Sequence, residues 1–226
     1  MSNSEDLPNP QSRNCVWRLI QIQCYVVFKL WFRFQAKGYK NLPQGGAMLL
    51  SNHQSFLDPL LIGVLLKRPV SFLARDSLFR IPVVGWILKH TYVMPISRKS
   101  AGTESMKKSI ARLDHGFYVG LFPEGTRTED GSVGKVKPGF IAMIRRSEVP
   151  IVPVGIAGAY EAMPRKSNFV RPVKIRLVYG EPISLEEISE LSKKGNEKQF
   201  AELVQQRIID CQKQADEWRT GLKVNG

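Results

Sequence analysis

The apolar positions of this chain fall into short unbroken runs and longer, more periodic ones. Runs of four or five mostly apolar residues at 47–50, 70–74, 92–96 and 118–122 have the length and composition of buried strands. The stretch 60–66 is too long and unbroken for one strand and predicts a buried helix. Helical spacing of Met106, Ile110 and Leu113 predicts an amphipathic helix over 101–114, and a further helix is expected at 140–146. The stretch 79–88, apolar around Pro82 and Gly85, suits a short helix or a lipid-contacting loop. Two prolines in 149–156 predict an edge or interrupted strand, because proline removes a ladder donor. Period-two alternation over 173–179 predicts a half-exposed strand. A charged helical tail follows over 185–220, with Phe200, Val204, Ile208 and Cys211 on one face. Strands alternating with helices give one α/β domain with a central mixed or mostly parallel sheet flanked by helices. At 226 residues there is room for one sizeable core, and no repeat or second domain is evident.

The first residues break this pattern. Residues 1–14 are polar and proline-containing, with the composition of a disordered tail. From 15 to 37 the chain reads as an N-terminal helical segment rich in aromatics, among them Trp17, Phe28, Trp31, Phe32 and Phe34. Its longest uncharged run, 19–28, falls far short of the ~20 residues a membrane-spanning helix requires. Arg18, Lys29 and Arg33 interrupt it, and no small-residue cleavage site follows, which argues against a signal peptide. Wound at 100° per residue, these three cations lie within about 60° of one another. A basic stripe beside a wide aromatic face reads as a helix lying in an anionic membrane interface. A helix packed on the protein's own core, or on a partner subunit, is the alternative.

Charge sharpens that choice without making it. Lys and Arg number 33 against 20 Asp and Glu, a net charge of +13. Such a field attracts nucleic acid, anionic lipid or phosphorylated substrates alike. The aromatics concentrate in the N-terminal segment and no RRM, KH or zinc pattern is present, so a nucleic-acid partner is not expected. Three cysteines without a C-x-x-C pair suit reduced thiols better than a disulfide framework. His53, His90 and His115 are far apart, and no metal site is expected.

Candidate chemistry gathers where strands hand over to helices. His53 follows the first central strand and Asp58 opens the next helix. On a regular helix residues five apart lie about 140° apart. With His53 in the turn and Asp58 in the first helical turn, the carboxylate can instead reach back, fix the imidazole tautomer and leave the other nitrogen as a base. The alternative is a capped helix with Asp58 serving the N-terminal dipole. A second handover, Phe122 to Thr128, sets Pro123 and Gly125 about Glu124 and places Arg127 just beyond. That is an anion pocket or a surface turn.

These stretches resemble a known family. NHQSFLD at 52–58 and FPEGTRT at 122–128 resemble two signature blocks of the glycerolipid acyltransferases, of the 1-acylglycerol-3-phosphate acyltransferase type. VPIVPV at 149–154 is similar to a fourth block, and YVMPISR at 92–98 to the second. The second block usually begins with Gly and often carries an acidic residue before its Arg, where this chain has Tyr92 and Ser97. The likeness covers about 38–179, leaving a motif-bearing core of 38–180 within an acyltransferase domain of 38–226.

The resemblance implies acyl transfer from acyl-CoA or acyl carrier protein to the free hydroxyl of 1-acylglycerol 3-phosphate, giving phosphatidic acid. His53 is then the base and Asp58 its orienter. G-x-S-x-G is absent, so direct attack without an acyl-enzyme is the simpler route. Backbone N–H groups of Gly125 and Thr126 face either the acceptor or the developing oxyanion. Arg98 and Arg127, supported by the blocks, and Lys137, supported by charge alone, are candidates for the acceptor phosphate. The family implies an acceptor-binding role for Glu124; a turn carboxylate paired with Arg127 is the other reading. No cofactor is expected beyond the donor, and the protein is expected as a peripheral one on the cytoplasmic face of an anionic membrane. Tyr92 and Ser97 keep other acceptors open: a lyso-ornithine lipid, glycerol 3-phosphate or another lysolipid.

Overall fold

Alternating side-chain directions along one strand, β2 (Ala47–Ser51), sort the whole molecule into layers. In the computed structural model, which describes residues 7–11, 14–96, 102–167 and 169–221, all five β2 residues are buried. Ala47 and Leu49 enter a core shared with Leu61, Ile62, Phe72, Val152 and Leu177, whereas Met48 and Leu50 enter a second with Val119, Ile144, Phe200 and Ile208. Alternate side chains of a strand point to opposite faces, so a strand buried throughout requires cover on both.

That cover comes from eight helices distributed about a seven-stranded sheet among the described residues. The strands are β1 (Gln35–Lys37), β2, β3 (Val70–Arg75), β4 (Met94–Ile96), β5 (Tyr118–Leu121), β6 (Ile151–Ala157) and β7 (Arg176–Tyr179). They lie in the order β1-β7-β6-β2-β5-β3-β4, parallel throughout except where β6 meets β7. The helices are α1 (Cys15–Trp31), α2 (Asp58–Gly63), α3 (Pro82–His90), α4 (Thr103–Asp114), α5 (Ile141–Ser147), α6 (Ala159–Ala162), α7 (Leu185–Leu191) and α8 (Glu197–Thr220). Residues of α1, α2 and α6 line one core; those of α4, α5, α7 and α8 line the other. The expected α/β domain with a mostly parallel sheet is the observed one.

Four local expectations need correction. The helix over 15–37 stops at Trp31, with Asn14 accepting the Trp17 N–H at its start and Phe32 closing its end. Arg33 then turns the chain through a positive φ of 45°, and β1 joins the sheet edge parallel to β7. The segment is thus part of the domain's sheet, not an appendage. Most of its aromatics also point inward: Trp17, Phe28, Phe32 and Phe34 are buried, while Leu19, Ile22, Tyr25, Val26, Leu30 and Trp31 stand exposed.

Second, β6 is neither an edge nor interrupted. It lies between β2 and β7 and is buried along its whole length. Pro153 is tolerated because its carbonyl, accepting Gly180 N–H at 2.8 Å, faces β7 one residue beyond the Val154↔Tyr179 pair. A strand residue's nitrogen and carbonyl face the same side, so the missing donor falls where the ladder has already ended. Third, β7 is fully buried rather than half-exposed, because α8 packs across β6 and β7. Arg176 is accommodated there by donating to the Arg33 and Ile175 carbonyls while its guanidinium lies 5.1 Å from the Trp218 ring.

Fourth, the strand expected over 92–96 covers only Met94–Ile96. Tyr92 adopts a left-handed φ of 63°, a conformation that suits glycine, and its ring packs against Trp17 and Phe117. The expected disorder of 1–14 falls largely on residues outside those described, as do Ser97 and Arg98. No described helix is long and apolar enough to cross a membrane.

Candidate active site

Two adjacent parallel strands, β2 and β5, end side by side, and the turns beyond them make the site. Asn52 continues β2 past its last ladder bond. Its buried amide donates to the Ile156 carbonyl at 2.9 Å and accepts the Ile156 N–H at 2.8 Å, mimicking a strand residue. The chain is thereby held to β6 until it reaches His53. Gln54 continues the anchoring, donating to the Gly131 carbonyl and accepting the Tyr160 N–H.

His53 is fixed from three directions. Its backbone N–H donates to Glu124 Oε1 at 2.8 Å, and its carbonyl accepts the Thr128 N–H at 2.8 Å. Its Nδ1 lies 2.8 Å from Asp58 Oδ2. The ring remains 20% exposed whereas the Asp58 side chain is fully buried. Stacked on the imidazole is Phe122, with centroids 3.9 Å apart and planes 13° from parallel.

Asp58 Oδ2 also accepts the Gln54 and Ser55 N–H groups, at 2.7 and 2.8 Å. Both sequence readings of this residue therefore meet in one atom: it organises the turn into α2 and it faces the imidazole. Burial pushes the Asp58 carboxyl above the usual range, against the opposing hydrogen bond and charge of His53 and the two backbone donors. A carboxylate oxygen already receiving two N–H groups is an acceptor, so Nδ1 carries the proton and Nε2 is left basic.

Glu124 is 5% exposed, and both its oxygens are occupied by backbone: Oε1 by His53 N–H and Oε2 by Gly134 N–H at 2.9 Å. Burial raises its carboxyl too, opposed by those two N–H groups. Among the described residues it forms no ion pair with Arg127, so the turn-pair reading is corrected: its partners are main-chain donors. The Gly125 N–H is likewise spoken for, donating to the Phe122 carbonyl at 3.0 Å within a tight turn, which removes it from the turn amides proposed to face a substrate. Gly125 and Thr126 are both exposed at the turn.

Arg127 is half-buried and Lys137 exposed beside the same turn. A side-chain carbon at Gly125 would stand 2.9 Å from Lys137 Nζ, so that ammonium overhangs the turn. Two cations flanking an exposed Gly–Thr turn suit an anionic group. Arg98 lies outside the described residues. No group of three or more His, Cys, Asp or Glu among the described residues stands where it could hold a metal ion. The arrangement joins an oriented base to a cationic turn, which is the equipment for deprotonating a hydroxyl on a phosphorylated molecule.

Sequence reasoning passed over Asn52, Phe122, Thr128 and Gly134. Asn52, Phe122 and Thr128 lie in the two signature blocks without a role of their own, and nothing local marks Gly134 as the partner of a carboxylate ten residues away.

Comparison with known proteins adds to this geometry. A family model described as acyltransferase matches residues 33–157. The chain is 30% identical over 172 residues to the chloroplast 1-acyl-sn-glycerol-3-phosphate acyltransferase LPAT1 of Arabidopsis thaliana, covering 70% of this chain and 48% of that protein. It is 28% identical over 180 residues to the 1-acyl-sn-glycerol-3-phosphate acyltransferase of Bacillus subtilis, covering 79% and 87%. The chain thus spans about half the length of its chloroplast relatives and most of the bacterial one. Its fold is shared with the crystal structure of the 1-acyl-sn-glycerophosphate acyltransferase PlsC of Thermotoga maritima, with a TM-score of 0.73, 24% identity, and coverage of 89% of this chain and 79% of that one.

Proposed function

The chain belongs to the acyltransferase family, and on that premise we propose that it transfers a fatty acyl group from a thioester to the free hydroxyl of 1-acylglycerol 3-phosphate, giving phosphatidic acid. The observation that carries the reading is the Nδ1–Oδ2 contact of 2.8 Å between a partly exposed His53 and a buried Asp58. His53 Nε2 takes the acceptor's hydroxyl proton as the oxygen attacks the thioester carbonyl, and Asp58 stabilises the imidazolium that results. Collapse of the tetrahedral intermediate breaks the C–S bond and leaves the new ester C–O bond. The departing thiolate recovers the proton from His53. The thioester supplies the activation, so the step calls on no cofactor beyond acyl-CoA or acyl carrier protein as donor. Arg127, Lys137 and Arg98 are the cations proposed to hold the acceptor's phosphate, with Thr126 at the exposed turn beside them.

A lysolipid acceptor and a diacyl product both reside in a bilayer, and the outward face of α1 supports a peripheral position there. Leu19, Ile22, Val26 and Leu30 recur along one exposed side, with Arg18 and Lys29 exposed beside them. Val83 and Trp86 of α3 extend the apolar surface on a second helix. We place this face on an anionic, cytoplasm-facing membrane surface.

The test is transfer of radiolabelled palmitate from coenzyme A to lysophosphatidic acid in mixed vesicles, with His53→Ala and Asp58→Asn beside the parent. Loss of a proton-transfer group is expected to cost about 10²–10⁴-fold in rate. Activity that survives His53→Ala would overturn the mechanism. Because Tyr92 and Ser97 depart from the second block, the same assay is run with glycerol 3-phosphate and lyso-ornithine lipid. Preference for either moves the acceptor and leaves the base in place.

A further inference from the structure

We propose that Phe122 is a positioning residue for His53, narrowing the tilt of the imidazole that the hydrogen bond to Asp58 holds only loosely. The proposal rests on His53 being the base of the reaction above. The main chain fixes the root of the ring, and a single hydrogen bond at Nδ1 fixes one further point. Rocking of the ring about χ1 and χ2 remains within the wide angular tolerance of that one bond, and it swings Nε2 through an arc. A flat surface against the ring face removes that freedom.

The geometry is unlike ordinary core packing. Aromatic pairs generally keep their centroids about 4.5–7 Å apart and avoid face-to-face alignment, since the negative faces of two rings repel. Here the centroids are 3.9 Å apart and the planes 13° from parallel. Face-on contact is favourable when one partner is a cation, and His53 becomes one each time it takes a proton. Phe122 therefore both orients the base and meets its charged form with the negative face of a benzene ring.

Phe122 has a second ring beside it. Phe72 lies 5.8 Å from it, 14° from parallel, so Phe122 is aligned with a core side chain as well as with the base. Phe72 has room there because residue 120, on β5, is glycine. A side-chain carbon there would come within 2.2 Å of the Phe72 ring. The main chain of His53 is tied to the same segment through Glu124 and Thr128. Ring and backbone of the base thus take their position from one stretch, 122–128.

Phe122→Leu keeps the apolar volume and removes the flat face, whereas Phe122→Tyr keeps both. We expect Phe122→Leu to lower kcat about tenfold to a hundredfold while KM for donor and acceptor stays within about threefold, since only the placement of the base is disturbed. Phe122→Tyr should restore most of the loss. Proton NMR gives a readout independent of catalysis: the His53 ring protons, assigned by their absence in His53→Ala, should be shifted upfield by the Phe122 ring current. That shift should vanish in Phe122→Leu and persist in Phe122→Tyr. Should Phe122→Leu fail to fold, Phe122→Met serves the same purpose. Parent-level kcat in a folded variant without the aromatic ring, or His53 resonances indifferent to the substitution, would overturn the proposal. If the parent transfers no acyl group at all, the acyltransferase reading fails, while the NMR comparison still decides whether Phe122 holds the ring.

Discussion

Glu124 ties the base to the turn beyond β5. Both oxygens accept main-chain N–H groups, one from the base itself. Replacing it with Gln turns an NH₂ toward one of those donors and leaves that N–H without an acceptor. Glu124→Gln is therefore expected to lose about 1–3 kcal/mol of stability in urea unfolding. Its kcat should fall with His53 displaced while the acceptor KM stays near the parent value; a large rise in acceptor KM with unchanged stability would instead assign Glu124 to the acceptor. The pH dependence has a definite sign. Burial raises this carboxyl above its ordinary value of 4.5, so the folded state binds the proton more tightly than the unfolded chain. The stability so contributed is complete below about pH 4.5 and is lost as pH rises through the raised value, a slope Glu124→Gln should lack. His53 and Asp58 were legible in the sequence because five residues of chain bring them together. Glu124's tie to His53 spans 71 residues, and only the pairing of β2 with β5 creates it.

At the scale of elements, the sequence hid the covering of one element by another and the points where backbone turns end an element. Alternation in 173–179 described a strand with one wet face, and α8 then dried it. Two prolines argued against a central strand, yet the position of Pro153 past the β6–β7 ladder makes the missing donor harmless. The N-terminal segment was divided differently from expectation, since Trp17, Phe28, Phe32 and Phe34 fill the core while Leu19, Ile22, Val26 and Leu30 face out with Tyr25 and Trp31. This division can be tested by two substitutions on α1. Phe28→Ala should cost about 3–5 kcal/mol in urea unfolding, because Phe28 is 4% exposed and packs against Phe32 and Phe34. Leu30→Ser, at a side chain 76% exposed, should change stability by no more than about 0.5 kcal/mol. If α1 lies on a membrane as proposed, Leu30→Ser should still weaken sedimentation with vesicles. A large stability loss from Leu30→Ser would mean that its exposed face is covered in solution by another chain.

Across the whole molecule, charge and apolar exposure converge on the same helix. No Asp or Glu occurs between Leu7 and Leu57, a span that includes all of α1. Arg18, Lys29 and Arg33 are exposed on or just beyond that helix. Near an anionic lipid surface each such cation contributes about 1 kcal/mol. Three together amount to roughly a hundredfold in affinity, since each 1.4 kcal/mol is tenfold. Replacing all three with Gln should therefore weaken binding to phosphatidylglycerol-containing vesicles by about that factor at low salt. Binding to neutral phosphatidylcholine vesicles, which depends on Leu19, Ile22, Val26 and Leu30, should barely change. Raising the salt should erase the difference between parent and variant, as screening shortens the reach of exposed charges to about 3 Å at 1 M. Equal loss on both kinds of vesicle would show that the substitutions disturbed the helix itself. No loss on either would detach the net charge of +13 from membranes and redirect it to the thioester donor, whose phosphates or acidic carrier meet the same field.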